Sequence, residues 1–186
     1  LLNTGSNVLT NKNLIVDIPS NSSVKIMQLD PLTENEFLSM KLTDANGKRV
    51  AGNFYWLSDK PDEFAWDKTN WVFTPLKSFA DHTPLSELQT SKITISCKTE
   101  VNGSKLKIHT WISNPTDKIA FFISLMLNDE KGESICPVFW DDNYISLLPG
   151  EKREINCTVS RNVVAKTKPR LLVSGWNIKP QSITIK

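Results

Sequence analysis

Apolar and polar residues alternate with period two through much of this chain, and that pattern predicts strands. Phe37-Leu-Ser-Met-Lys-Leu42, Ile93-Thr-Ile-Ser-Cys97 and Lys105-Leu-Lys-Ile-His-Thr-Trp-Ile112 each put every second side chain on one face. Val24-Lys-Ile-Met-Gln-Leu29 alternates likewise, and Leu14-Ile-Val-Asp-Ile18 reads as a short strand closed by the turn formers Pro19-Ser-Asn-Ser-Ser23. Asp44-Ala-Asn-Gly47 is a hairpin signal leading into a strand over residues 49–57. Residues 120–127 are the most apolar run and are expected to be a central strand. Further strands are predicted at 137–140, 144–148, 154–159, 170–174 and 182–185. Asn102-Gly103, Asn114-Pro115, 129–132 and Pro149-Gly150 supply the turns between them. Helix is limited to one turn near Val163-Val-Ala-Lys166.

Short strands at this spacing predict an all-β chain with two immunoglobulin-like β-sandwich domains in tandem. Residues 91–186 hold enough strands for a whole sandwich. Residues 1–58 hold about four, too few to close two sheets, so the first sandwich is expected to be incomplete. Between them, residues 59–90 have no clean period. Pro61, Pro75 and Pro84 interrupt that stretch, and Trp66, Trp71 and Phe73 punctuate it. Unstructured stretches of this length usually carry function or connect domains. It is read as an ordered linker whose aromatics pack onto its neighbours.

Composition narrows the function classes. Of 186 residues, 39% are hydrophobic and 23% charged, the balance of a globular protein. A net charge of +2 gives no electrostatic footing for nucleic acid or an anionic membrane. No apolar run approaches the ~20 residues a spanning helix needs. The chain opens Leu1-Leu-Asn-Thr-Gly5, with no initiator Met and no basic leader, and reads as a fragment or a processed piece. Cys97, Cys136 and Cys157 match no zinc or redox spacing. Cys97 and Cys157 fall in strand-like runs, where they either bridge the two sheets or pack as small hydrophobes. Sequons stand at Asn21, Asn102 and Asn156.

Candidate chemistry is sparse. Asp141-Asp142 adjoins Trp140, but neighbours on a strand face opposite ways, which argues against a paired glycosidase-type acid and nucleophile. Asp141, Asp142 and Asn143 are weak candidates for a calcium contact. His82 reads as a loop histidine and His109 as a residue of an exposed or edge face; neither has a second ligand at short spacing. There is no GxSxG elbow and no glycine-rich phosphate loop, and nothing calls for a cofactor. Trp66, Trp71 and Trp140 lie in or beside loops, where an indole face stacks on a sugar ring or anchors the linker. Trp56 and Trp111, inside strands, are expected in the core, and Trp176 is expected to plug one end of the second sandwich.

The aromatic motifs also carry a resemblance. Asn53-Phe-Tyr-Trp-Leu-Ser58, Trp66-Asp-Lys-Thr-Asn-Trp71, Thr74-Pro75 and Ala80-Asp81 resemble the C-terminal region of glycoside hydrolase family 2 exo-β-D-glucosaminidases. Related mannosylglycoprotein endo-β-mannosidases share the pattern. Ile112-Ser-Asn-Pro-Thr116, Ile119-Ala-Phe-Phe122, Pro137-Val-Phe-Trp-Asp-Asp-Asn-Tyr144, Leu147-Leu-Pro-Gly-Glu151 and Val173-Ser-Gly-Trp-Asn177 continue it in order. The resemblance implies a parent with a jelly-roll domain, an immunoglobulin-like domain, a catalytic TIM barrel and two C-terminal sandwiches. This chain corresponds to the last two. The family's catalytic carboxylates lie in the barrel, so none transfers to these residues. Implied too are release of terminal β-linked glucosamine from chitosan oligosaccharides with retention, a secreted or periplasmic location, and the barrel as partner, with a glycan as a further possible partner.

Overall fold

The computed structural model describes residues 1–185, and the chain divides into two compact units, Leu1–Leu88 and Gln89–Lys186. In the first, β1 (Leu2–Asn3), β2 (Glu36–Thr43) and β3 (Arg49–Leu57) form an antiparallel sheet in that order. The β2–β3 hairpin turns where Asn46-Gly47 predicts it: Gly47 takes a φ of +78°, and Asp44 Oδ1 accepts the N–H groups of Asn46 and Lys48, both at 2.9 Å. A small two-stranded ladder, β4 (Glu63–Phe64) with β5 (Leu76–Ser78), and two 3-10 turns at Trp66–Lys68 and Thr83–Glu87 lie further along. The stretch from 59 to 88 therefore has short regular elements of its own.

The strands expected at 14–18 and 24–29 are absent; residues 9–35 contain neither strand nor helix. Alternation makes a segment fit for a ladder, but a ladder needs a partner edge, and these residues pair with none. Their apolar side chains stay exposed, Ile15, Val24 and Ile26 among them. The buried apolar side chains described in this unit are Leu2, Phe37, Ala65 and Leu85. Met40, Leu42, Val50, Tyr55 and Trp56 of β2 and β3 remain exposed. Two neighbouring strands thus carry outward apolar side chains with no second sheet of comparable size within the unit, as expected for an incomplete sandwich.

The second unit is a complete sandwich. β6 (Thr94–Asn102), β7 (Lys105–Ser113), β8 (Ala120–Asn128), β9 (Val138–Trp140), β10 (Ile145–Leu147), β11 (Lys152–Ser160), β12 (Arg170–Gly175) and β13 (Ile178–Thr184) form two antiparallel four-stranded sheets. One runs β6-β7-β11-β9 and the other β10-β8-β12-β13. The chain changes sheet at every connection from β7 to β12. A single helical turn, α1 (Arg161–Val164), sits between β11 and β12. The core draws alternate residues from both sheets: Ile108, Ile112, Ile155, Cys157 and Val159 meet Ile123, Leu125, Leu127, Leu171 and Val173.

Cys97, Cys136 and Cys157 are all free thiols. A Cys97–Cys157 bridge between sheets is ruled out by topology, since both strands belong to one sheet. Cys97 is opposite Thr110 and Cys157 opposite Ile108 on the two sides of β7. Two strand spacings of about 4.8 Å separate them by about 10 Å, beyond the roughly 7 Å a disulfide spans. Burial drives the Cys157 thiol up to about 12, with the Asp141 carboxylate adding to the shift, and Cys97 is raised by burial as well.

Candidate functional site

In the first unit the hairpin-like segment from β4 to β5 is held by its polar residues and points its aromatics outward. Ala65 N donates to Pro75 O at 2.8 Å and Asn70 N to Phe73 O at 3.2 Å. Asn70 Oδ1 accepts the N–H groups of Val72 and Phe73 at 2.8 and 3.1 Å, forming an Asx turn. The hydroxyls of Thr69 and Thr74 meet at 3.1 Å. These contacts leave Trp66 71% and Trp71 96% exposed, beside exposed Val72, Phe73 and Phe79. Trp66 touches the Phe64 ring at 5.1 Å. The segment therefore presents a cluster of apolar rings to the exterior of its unit, the kind of surface that binds something.

Trp140 belongs to the second unit. It ends β9, opposite Cys157, and packs half-buried against the core of that sandwich. The acids beside it serve structural ends. Asp141 accepts from Asn156 with both oxygens, from the backbone N–H and from Nδ2, each at 2.8 Å. Asp142 Oδ1 accepts the Asn143 N–H at 2.8 Å and its Oδ2 faces Arg153 at 3.3 Å. Asn143 ties to both backbone groups of Leu125 at 2.9 Å. Asp141 and Asp142 are thus engaged with protein donors, and no cluster of three metal-ligating acids, histidines or cysteines occurs among the described residues.

Two buried asparagines tie loops and strands of this unit together. Asn114 Nδ2 donates to the carbonyls of Lys118, Leu147 and Leu148 at 2.7–3.2 Å, and its Oδ1 accepts from Thr116 N–H and Thr116 Oγ1. Asn177 Nδ2 donates to Gln89 O and Ile119 O, both at 2.8 Å, while its Oδ1 accepts the Phe121 N–H at 2.8 Å. Beside it, Phe121 and Phe122 bulge β8 against Ser146 of β10. Phe122 and Tyr144 both have a φ of +53°, rare for aromatic residues, and their rings lie 5.3 Å apart. Trp176 contacts Phe121 with ring centroids 6.4 Å apart and the residue is 60% exposed, so it rims the sandwich rather than plugging it.

Trp56 and Trp111 are each 40% exposed, contrary to a core placement. In β7 the buried residues are Ile108, Thr110 and Ile112, which turns Trp111 to the outer face. Period two carries that signal in the sequence: isoleucines at 108 and 112 claim the inner face and leave Trp111 the outer one. His109 shares the outer face, but β7 lies inside its sheet rather than at an edge, and Glu154 at 3.1 Å and Glu100 at 3.4 Å leave the imidazole only 18% exposed. His82 lies in its loop with Nδ1 3.5 Å from Asn35 Nδ2.

The fold and these contacts define an immunoglobulin-like sandwich whose motif residues are chiefly scaffold. A family model described as the exo-beta-D-glucosaminidase Ig-fold domain matches residues 71–178, and the chain belongs to that family. An exo-beta-D-glucosaminidase of Arthroderma benhamiae is 30% identical over 98% of the chain, which spans 20% of that protein. One from Streptomyces avermitilis is 34% identical over 76% of the chain and 16% of its own length. The crystal structure of Amycolatopsis orientalis exo-chitosanase CsxA matches with a TM-score of 0.79 and 28% identity, covering 87% of this chain and 20% of that one. The chain spans about a fifth of the length of the relatives it matches.

Proposed function

We propose that this chain is the non-catalytic C-terminal portion of a glycoside hydrolase family 2 exo-β-D-glucosaminidase, bracing a catalytic barrel supplied elsewhere in the parent protein. The parent would remove terminal β-linked glucosamine from chitosan oligosaccharides, in a secreted or periplasmic setting. On this reading residues 59–90 link a partial sandwich at 1–58 to the full one at 91–186. One observation carries the proposal: motif residues shared with such enzymes in the second unit (Asn114, Asp141, Asn143 and Asn177) spend their polar atoms on their own backbone and neighbours. A module built for catalysis would aim such groups at a substrate. The test is to incubate the 186-residue chain with 4-nitrophenyl β-D-glucosaminide. Release of nitrophenol at the buffer rate is expected; enzyme-dependent turnover would overturn the non-catalytic assignment.

The exposure of Trp66 and Trp71 favours a second reading, in which this surface of the first unit holds a glycan. Titration calorimetry with chitosan oligosaccharides, repeated for Trp66→Ala and Trp71→Ala, tests it. Unchanged affinity in both variants removes these rings from glycan binding and leaves them to a protein contact.

A further inference from the structure

The outer face of the β6-β7-β11 sheet carries a groove of about 370 Å³ lined by side chains from all three strands. Its size falls in the range of small-molecule sites, roughly 300–1,000 Å³. Two cross-strand rows shape it, Thr94–Ser113–Lys152 and Ser96–Trp111–Glu154. His109 and Ser113 flank Trp111 on the same face of β7. The His109 ring stacks on the indole at 5.9 Å and 12°, so the other indole face is turned toward Ser113 and the groove. Glu154 and Glu100 hold His109 from both sides. The platform is therefore fixed before any ligand arrives, which reduces the ordering cost of binding.

We propose that this groove binds a hexopyranose ring of a β-linked polysaccharide, with the ring's C–H face on Trp111. The lining suits that chemistry. It offers one aromatic plane, the Ser96 hydroxyl, the Thr94 and Ser113 hydroxyls that meet each other at 3.1 Å, the Glu154 carboxylate with one oxygen on His109, and the Lys152 ammonium. Lys152 balances Glu154, and the third charged lining residue, Arg153, is already paired with Asp142 at 3.3 Å and Glu151 at 3.7 Å, so no unpaired positive charge is left to recruit a phosphate or a polyanion. A single indole is too little apolar surface for a protein segment. A flat ring with an apolar face and a hydroxyl rim uses both kinds of group. The choice of a polysaccharide as the source rests on the glycosidase reading above; the groove geometry does not. Built wholly from residues of the second unit, it would serve as a secondary grip on polymer.

The test is amide and indole NMR of the 15N-labelled 186-residue chain, titrated in turn with chitosan, chitin and mannan tetrasaccharides. One open platform predicts a Kd of about 1 mM. Saturable shifts at the Trp111 indole and at the Ser96 and Ser113 amides are expected with at least one sugar, and the series that binds identifies the ring. Trp111→Ala should weaken binding at least ~10-fold. Ser96→Tyr, at an exposed position that leaves the core intact, should fill the groove and do the same with Trp111 still present. Absence of saturable shifts with all three sugars would overturn the proposal, as would binding that survives both substitutions. Shifts confined to Trp66 and Trp71 would also overturn it while leaving the accessory-module reading standing. Hydrolysis by the chain would overturn that reading without touching the groove.

Discussion

Replacing Asn114 by Ala tests whether the shared motif is structural. Asn114 is fully buried. The substitution keeps its backbone bonds to Glu151 O and from Gly150 N–H, both 2.9 Å, so only the side chain is interrogated. It removes donations to Leu147 O and Leu148 O and acceptance from the Thr116 N–H. The Lys118 carbonyl retains the Thr116 hydroxyl at 3.1 Å and is not orphaned. The Leu148 carbonyl likewise keeps the Glu151 N–H at 3.0 Å. The losses that leave a partner without this bond are therefore those at Leu147 O and the Thr116 N–H. At about 1 kcal/mol per bond plus the desolvation of two unsatisfied groups they amount to about 3 kcal/mol. Asn114→Asp should cost more, since it points a carboxylate at three carbonyl oxygens. Because the chain has two units, bulk unfolding signals mix them. Hydrogen exchange at the Ile108, Ile155 and Leu171 amides reports on the second unit alone. A loss of ~3 kcal/mol should lower protection at those amides roughly a hundredfold. Exposed Lys131→Ala should change it by less than ~0.5 kcal/mol. Protection within threefold of the parent chain for Asn114→Ala would refute the structural role assigned to the motif.

Gly175→Ala should destabilise the second unit by about 1–3 kcal/mol in thermal unfolding, because a Cβ there would stand 2.9 Å from Ile178 Cγ1 and 3.1 Å from Phe121 O. For Cys157 the folded thiol is raised to about 12 from an unfolded value near 9; its contribution is complete below pH 9 and is lost as pH rises from 9 toward 12. Urea midpoints measured across that window should fall, and less steeply in Cys157→Ala. Ellman's reagent at pH 8 should label exposed Cys136 at once and Cys157 only as the chain unfolds. Burial, with help from Glu34, raises the Glu36 carboxyl above the usual range, and its Oε2 has no hydrogen-bond partner. Its stability contribution is present below pH 4.5 and lost as pH rises through the raised folded value. Glu36→Gln should therefore stabilise the first unit at pH 7, with the gain fading below pH 4.

The second sandwich was legible in its alternation because every strand there finds a partner within the unit. Residues 24–29 alternate as well as residues 93–97 do, yet only the latter enter a ladder. Period two describes a segment, and pairing is a property of two. The same limit applies to Cys97 and Cys157: alternation marks both strands, but that they flank β7 in one sheet follows from how the chain crosses between layers. The sequence reads 59–90 as a linker that packs its aromatics onto its neighbours, whereas Trp66 and Trp71 stand exposed, because the turn at Asn70 and the short β4–β5 ladder engage only backbone and polar groups. The exposure of Trp111 is legible, since isoleucines at 108 and 112 already assign the inner face. The tie from Asn177 to Gln89, 88 residues apart, has no signature in spacing.

That tie has a mechanical meaning. Ser91 forms a parallel bridge with Ile178, its N–H donates to Asn177 O at 2.8 Å, and Gln181 Nε2 reaches Ile93 O at 3.1 Å. The beginning and the end of the second unit thus run side by side in the same direction. Tension applied to the two ends slides these contacts past one another together, where an antiparallel pair would open them singly. The sandwich should resist being pulled apart end to end, by an ATP-driven unfoldase or by a flowing polymer, better than one whose terminal segments run antiparallel.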